Sequence, residues 1–249
     1  MWNNYTVSVI LPCYNEEAAV LGSIQDFLDT GVVDEIIVVD NNSTDRTTEL
    51  AASTRARVVY EKRQGYGFAL RRGLIEAVGD LIILAEPDGT FSAMDVFKLL
   101  TLADDFDIVL GTRTNTKMIR KGSNMNFFNR NGNRIVAKLL ELLFDTPSLS
   151  DCGCTMRLFH RPIAKEINSR LTVGGSYLLP EMVIWGRYFG AKMVEVPVNY
   201  GVRLGKSKIT GSIMGTTMVG LNMIALIIVY RFKFWFGLHQ KIHKKSCGI

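Results

Sequence analysis

Cysteine is scarce in this 249-residue chain, with four residues in all (Cys13, Cys152, Cys154 and Cys247), of which only Cys152 and Cys154 lie close together. This excludes a disulfide-built scaffold and gives no four-ligand zinc pattern, so a reducing compartment is expected. Charge is also sparse, at 21% against 47% apolar residues, which excludes a disordered or collagen-like chain: enough apolar surface is present to offset the entropy of ordering. Internal repeats and low-complexity tracts are missing, which removes solenoids and arrays. Met1 to Thr6 lack a basic segment followed by an apolar run, so no secretory signal is read there and a cytosolic-side body is expected. No G-x-x-x-x-G-K-[ST], H-E-x-x-H or G-x-S-x-G motif occurs.

The most uneven absence is of acid at one end. The last 54 residues contain no Asp or Glu but eight Lys or Arg, and removing those charges from the net +5 leaves −3 for the rest. A near-neutral body with a cationic, apolar tail points to an anionic ligand or surface at that end, phosphates or headgroups. Nucleic acid is not expected as a partner, because the basic residues flank an apolar run instead of interleaving with aromatic and polar ones.

What is present reads as alternating strands and helices. Short apolar strands are expected at Thr6 to Leu11, Glu35 to Val39, Arg57 to Tyr60, Leu81 to Ala85 and Phe106 to Leu110. Pro12 to Glu17 reads as a loop opening a helix with acids in its first turn, Asp40 to Asp45 as a cap before a helix to about Ser53, and Gly65-Tyr66-Gly67 as the start of another to about Val78. Asn133 to Phe144 reads as an apolar, packed helix. The fold class is therefore α/β with a mostly parallel sheet, whose ligand would sit at the loops beyond the strands' carboxyl ends. Those loops are Pro12 to Glu17, Asp40 to Asp45, Glu86 to Phe91 and Gly111 to Thr114.

Within them, Glu86-Pro87-Asp88-Gly89 places two carboxylates two positions apart, a pattern suited to a hard divalent cation that completes its shell with water and phosphate oxygens. Taken alone the same four residues fit a solvated Pro-Gly turn. Asp40 has the position to bond a base or ribose, and Gly65 and Gly67 could admit a ligand to the backbone. The dinucleotide reading fails, since Pro12-Cys13-Tyr14-Asn15-Glu16 stands where a glycine-rich fingerprint belongs.

The tail has 22 uncharged residues between Lys208 and Arg231, enough in length to span a bilayer as a helix. Its first half holds Thr210, Gly211, Ser212, Gly215, Thr216 and Thr217, and spanning would put Lys241, Lys244 and Lys245 on the far side, against the positive-inside tendency. A membrane-interface helix is preferred, with Arg231, Lys233, Phe234, Trp235 and Phe236 at headgroup depth, over a spanning or a core helix. Two regions follow: 1–208 as the catalytic domain and 209–249 as a membrane-associating tail. His239 and His243 read as part of a basic surface segment, and Met214, Met218 and Met223 as membrane or core contacts.

The ordered set V-S-V-I-L-P-C-Y-N-E-E (Val7 to Glu17), V-V-D-N-N-S-T-D (Val38 to Asp45), G-x-G-x-A (Gly65 to Ala69), E-P-D-G-T-F (Glu86 to Phe91) and G-T-R (Gly111 to Arg113) resembles the family-2 inverting glycosyltransferases of GT-A, Rossmann-like fold. D-C-G-C-T-M-R-L-F at Asp151 to Phe159, Glu181, V-E-V-P-V at Val194 to Val198 and R-x-G-x-S-K at Arg203 to Lys208 are similar to the polyprenyl-phosphate sugar transferase branch, typified by dolichyl-phosphate mannosyltransferase. The resemblance covers residues 5 to 210 or so. It implies that Pro12, Tyr14, Glu16 and Asp40 surround the nucleotide, that Glu86 and Asp88 hold Mg2+ or Mn2+ and the diphosphate of a GDP- or UDP-hexose, and that Arg113, Arg130 and Arg203 approach phosphates, with Lys206 and Lys208 beside the acceptor's. Asp88, Asp151 and Arg203 are the expected catalytic residues. Asp151 would orient the acceptor or sugar, or act as general base if the acceptor were a hydroxyl. Two departures stand out: the family's D-x-D is E-x-D here, and its S-G-F-R is Cys154-Thr155-Met156-Arg157. Without Q-x-x-R-W, single-sugar transfer is expected over processive synthesis.

The expected function is transfer of one sugar, with inversion, to a polyprenyl (dolichyl or undecaprenyl) phosphate at the cytosolic membrane face. The alternatives are transfer to a saccharide hydroxyl with Asp151 as base, and a non-catalytic membrane scaffold, which the E-x-D departure would favour. A sugar nucleotidyltransferase is disfavoured because no glycine-rich loop follows the first strand. Glu181, inside an apolar stretch, is expected either in the site or paired with Arg157 or Arg187.

Overall fold

A computed structural model of the chain describes residues 1–205 and 213–237. Seven strands, β1 (Val7–Cys13), β2 (Glu35–Asp40), β3 (Arg57–Tyr60), β4 (Leu81–Leu84), β5 (Ile108–Thr112), β6 (Arg157–His160) and β7 (Met193–Pro197), form one sheet in the order β3-β2-β1-β4-β6-β5-β7. Every pairing is parallel except those of β6, which runs antiparallel between β4 and β5. The helices are α1 (Val20–Asp29), α2 (Thr47–Ala52), α3 (Tyr66–Glu76), α4 (Val96–Leu100), α5 (Phe127–Phe144), α6 (Arg161–Arg170), α7 (Leu178–Tyr188) and α8 (Ile213–Trp235).

The strands lack a polar face because both faces are covered. Ile10, Ile37 and Ile82 pack into one core with α3, α5, α6, α7 and α8. Val9, Leu11, Val38 and Ile83 pack into the other with α1, α2 and α4. All residues of β1 and β4 are buried in consequence.

Several expected boundaries move, for local reasons. Strand β1 continues through Pro12 and Cys13, which pair with Val39 and Asp40, so the loop begins two residues late. Helix α1 starts only at Val20, and the acids precede it instead of filling its first turn. Asn15 takes a left-handed φ of 55°, and the amides of Glu16 and Glu17 are held by Thr47 Oγ1 (2.8 Å) and an Asp45 carboxylate oxygen (3.2 Å). This ties the loop to the start of α2 before a helix can form. Strand β5 lies two residues later than expected, taking in Gly111 and Thr112. Helix α5 begins six residues earlier than its apolar stretch, capped by the Asn126 side chain accepting from Asn129 N at 2.9 Å.

Helix α8 is docked along the body, not detached from it. Met223, Ile227 and Tyr230, spaced four and three apart, are buried against α5 and α7, while Met218, Leu221, Phe232 and Trp235 are exposed. Each buried side chain of this kind contributes about 1.5–3 kcal/mol. Phe234 meets the ring of Phe144 at 5.8 Å, so α5 and α8 lie side by side at these ends. Among the described residues α8 is the one helix long and apolar enough to cross a membrane.

Candidate active site

At the carboxyl ends of β1, β2 and β4 the loops converge on a cavity of about 680 Å³. Pro12, Tyr14 and Glu16 line it from β1, Glu86 and Asp88 from β4, Arg113 from β5, and Arg203 from the segment after β7. Seven of the expected site residues therefore share one cavity. The same cavity is lined by an apolar set, Phe127, Phe128 and Ile135 of α5 and Val219, Met223 and Ile224 of α8.

Glu86 accepts from Thr155 Oγ1 at 2.6 Å, and the Tyr66 hydroxyl stands 2.5 Å from the same threonine oxygen. Burial, with the Asp88 charge beside it, pushes the Glu86 carboxyl up to about 7. Burial likewise raises the Tyr66 phenol well above its ordinary value. Asp88 is held by its own turn: one carboxylate oxygen accepts from Thr90 N (2.9 Å) and Thr90 Oγ1 (2.5 Å). Its other oxygen accepts from Arg203 Nη1 at 2.6 Å, while Arg203 Nη2 donates to Glu16. Arg203 is set there by the backbone, since Leu204 N donates to Asp88 O (2.8 Å) and Gly201 N to Thr90 O (2.6 Å). The Leu204 side chain then lies over Gly89, whose φ of 76° would strain any other residue.

This donor set fits a divalent cation. No three His, Cys, Asp or Glu side chains come together among the described residues, so the chain would offer two carboxylates and leave the remaining positions to water and phosphate, as hard cations bound with nucleotides commonly have it. The crowding that raises Glu86 is what a cation between the two carboxylates would relieve. Arg203 Nε is buried without a hydrogen-bond partner among the described residues, a donor left over for an anionic ligand.

Asp151 requires a correction. Its side chain is fully buried and bonds Arg113 through Nε (2.8 Å), Nη2 (3.0 Å) and the backbone N (3.0 Å), with Gly153 N at 3.0 Å. Burial would raise its pKa, but the Arg113 charge and these bonds prevail and hold it below the ordinary carboxylate value. It does not line the cavity; in this arrangement its carboxylate fixes Arg113. Asp40 also misses the wall: it is buried and accepts from Ser43 N at 3.2 Å, and the neighbouring Asn41 lines the cavity instead. Arg130 lies in the first turn of α5 but not on the wall. Lys206 and Lys208 lie outside the described residues, as do His239, Lys241, His243, Lys244 and Lys245.

Glu181 belongs neither to the site nor to an arginine. It is buried in α7 and accepts from Thr172 N (2.9 Å), Thr172 Oγ1 (2.7 Å), Val173 N (3.1 Å) and the Tyr230 hydroxyl. Arg157 instead donates to the carbonyls of Cys152, Cys154 and Leu179, and Arg187 to Asp145. Burial pushes the Cys152 and Cys154 thiols up to about 12, so both are inert packing residues.

Cavity residues that the sequence reading passed over include Asn41, Tyr66, Thr155 and a run of asparagines at the start of α5. The N-x-N-x-x-N-x-N-x-N spacing from Asn124 to Asn133 was the available signal, hidden because only the apolar half of that helix was periodic.

The doubly covered, mostly parallel sheet with acidic and cationic side chains at its carboxyl edge is that of GT-A nucleotide-sugar enzymes. The model of "Glycosyl transferase family 2" matches residues 8–167, and the chain belongs to that family and is a glycosyltransferase. It is 32% identical over 223 residues to an uncharacterized glycosyltransferase of Mycobacterium tuberculosis, covering 89% of this chain and 97% of that protein. A dolichyl-phosphate hexose transferase of Haloferax volcanii is 29% identical over 231 residues, 91% of this chain and 96% of its own length. Among solved structures, glucosyl-3-phosphoglycerate synthase from Mycobacterium tuberculosis, in complex with Mn2+, UDP and glucosyl-3-phosphoglycerate, superposes with a TM-score of 0.69 at 23% identity, covering 92% of this chain and 80% of that one.

Proposed function

We propose that this glycosyltransferase moves a single hexose, with inversion, from a GDP- or UDP-sugar to a polyprenyl phosphate at the cytosolic face of a membrane, assisted by Mg2+ or Mn2+. The observation that carries the reading is the make-up of one cavity, lined both by carboxylates with Arg203 and by an apolar set from α5 and α8. A nucleoside diphosphate suits the first, an isoprenoid chain the second. The 29% identical Haloferax relative, named for dolichyl-phosphate hexose transfer, supports the acceptor class, and the Mn2+ and UDP of the structural neighbour support a divalent ion and a nucleotide donor.

Glu86 and Asp88 would hold the cation, which when bound supplies positive charge against the departing diphosphate. Arg203 is the chain's own counterpart of that charge, aimed at the same place from the segment after β7 and holding a spare Nε donor. Arg113, kept rigid by Asp151 and lining the cavity, adds a second fixed cation. Arg130, Lys206 and Lys208 are proposed to gather the acceptor phosphate. A phosphate acceptor is already an anion at neutral pH and attacks without a strong base, which agrees with the sequestered Asp151; the saccharide-hydroxyl reading loses its base there. The exposed aromatic residues Phe232, Trp235 and Phe236 beside Arg231 and Lys233 favour α8 lying at the headgroup level, so that 209–249 serves as a membrane-associating region.

Transfer of labelled sugar from a panel of nucleotide sugars into an organic-extractable fraction tests this. Membranes supplemented with polyprenyl phosphate should give lipid-phase label that requires divalent cation and is lost by at least a hundredfold in Asp88→Ala. Label found only in water-soluble product would turn the reading to a saccharide acceptor; product from no donor would turn it to a scaffold.

A further inference from the structure

One wall of the cavity has no role in the mechanism above. Asn131 and Asn133, in the first turns of α5, line the cavity, yet their side chains make no hydrogen bond within the described residues. Both are half-buried. The neighbouring Asn129 differs, since its Nδ2 is spent on the Asn124 carbonyl at 2.5 Å.

The place of Asn133 is closely fitted. A Cβ on Gly153 would come within 2.6 Å of Asn133 Oδ1 and 3.3 Å of Arg113 Nη2, so the bare backbone of Gly153 is what lets the amide sit next to the Arg113–Asp151 pair. The chemistry of the amide narrows the ligand. A carboxamide both donates and accepts and carries no charge. In the nucleotide-sugar reading, phosphate groups fall to the guanidinium groups and a lipid chain to the apolar lining, which leaves neutral, two-way hydrogen bonding for hydroxyl groups.

We propose that Asn133, with Asn131 beside it, recognises the hydroxyl groups of the donor's hexose and sets which sugar is accepted. The proposal rests on the nucleotide-sugar reading above. Half-buried amides without internal partners reject a ligand that cannot pair with them, which makes such groups selective and not merely adhesive.

Titration calorimetry on the full chain in detergent with Mn2+, using UDP, GDP, UDP-glucose and GDP-mannose, separates the sugar's contribution from that of the nucleotide. Asn133→Ala should weaken the preferred nucleotide sugar about tenfold while the parent nucleoside diphosphate stays within twofold, the loss of one good hydrogen bond. Gly153→Ala, which keeps the amide but displaces it, should give the same signature, and Asn131→Ala a smaller one. Equal affinities of native chain and Asn133→Ala for the nucleotide sugar overturn the proposal, as does a native chain for which the sugar adds nothing to nucleotide binding. A native chain that binds neither nucleotide nor nucleotide sugar overturns the donor reading itself.

Discussion

Asp151 and Arg113 form a charged pair that the solvent scarcely reaches, with side-chain exposures of 0% and 10%. A buried pair of this kind is costly to break because the surviving charge has nowhere to go. Asp151→Asn should destabilise the chain by about 3–5 kcal/mol in urea unfolding at neutral pH. The pair lowers the Asp151 pKa in the folded state, so its stabilisation is present in full above the unfolded carboxylate pKa of about 4 and fades as pH falls through the lower folded value. The gap between native chain and variant should therefore close only in strong acid. A gap that closes between pH 5 and 7 would contradict the depressed pKa. At this scale the sequence is informative about residue type and poor about direction: Glu86, Asp88 and Arg203 are legible as a charged constellation, whereas nothing local says that Asp151 turns inward to Arg113, 38 positions earlier. Asp40 and Asn41 illustrate the same limit, since one residue of offset at the end of β2 decides which side chain faces the cavity.

Helix α8 is tied to the body by chemistry as well as by its apolar stripe. The Tyr230 hydroxyl donates to the buried Glu181 carboxylate, whose other bonds hold the Thr172–Val173 segment. That segment runs on to Gly174, whose carbonyl accepts from Gly67 N at 2.8 Å at the start of α3, on the cavity side. A charge-assisted hydrogen bond contributes about 1.5–3 kcal/mol, and Tyr230→Phe should lower the unfolding free energy by that amount. A melting curve unchanged from the native chain would show that α8 is held by apolar contact alone. Elements were legible where their signals were strong. The largely apolar strands β1, β2 and β4 stand out, as does the apolar half of α5. Strand β6, with Arg157 and His160 at its ends, and β7, interrupted by Glu195, carry too few apolar residues to be read without their partners, and both owe their existence to pairing within the sheet.

For the molecule as a whole, α5 and α8 together form the side least suited to water. Phe127 is 76% exposed on α5 and Trp235 75% and Phe236 70% at the end of α8, and the sequence around α8 is cationic and free of acid. Exposed apolar surface of this extent marks a contact face, and residues of these same two helices line the cavity. Removing two large aromatic side chains from such a face forfeits about 3 kcal/mol of insertion, or about a hundredfold in partitioning, at about 1.5 kcal/mol for each. Trp235→Ser combined with Phe236→Ser should thus shift the full chain from vesicle pellet to supernatant in co-sedimentation. Vesicles containing anionic lipid should bind the native chain more tightly than neutral ones, an advantage that fades as salt is raised, because each basic residue near the surface adds about 1 kcal/mol. Alkaline extraction divides the two geometries open to α8: a helix lying at the interface releases the protein, a spanning helix retains it. Retention would put Lys241, Lys244 and Lys245 across the bilayer from the cavity, while Lys206 and Lys208, which precede α8 in the sequence, would stay on the cavity side.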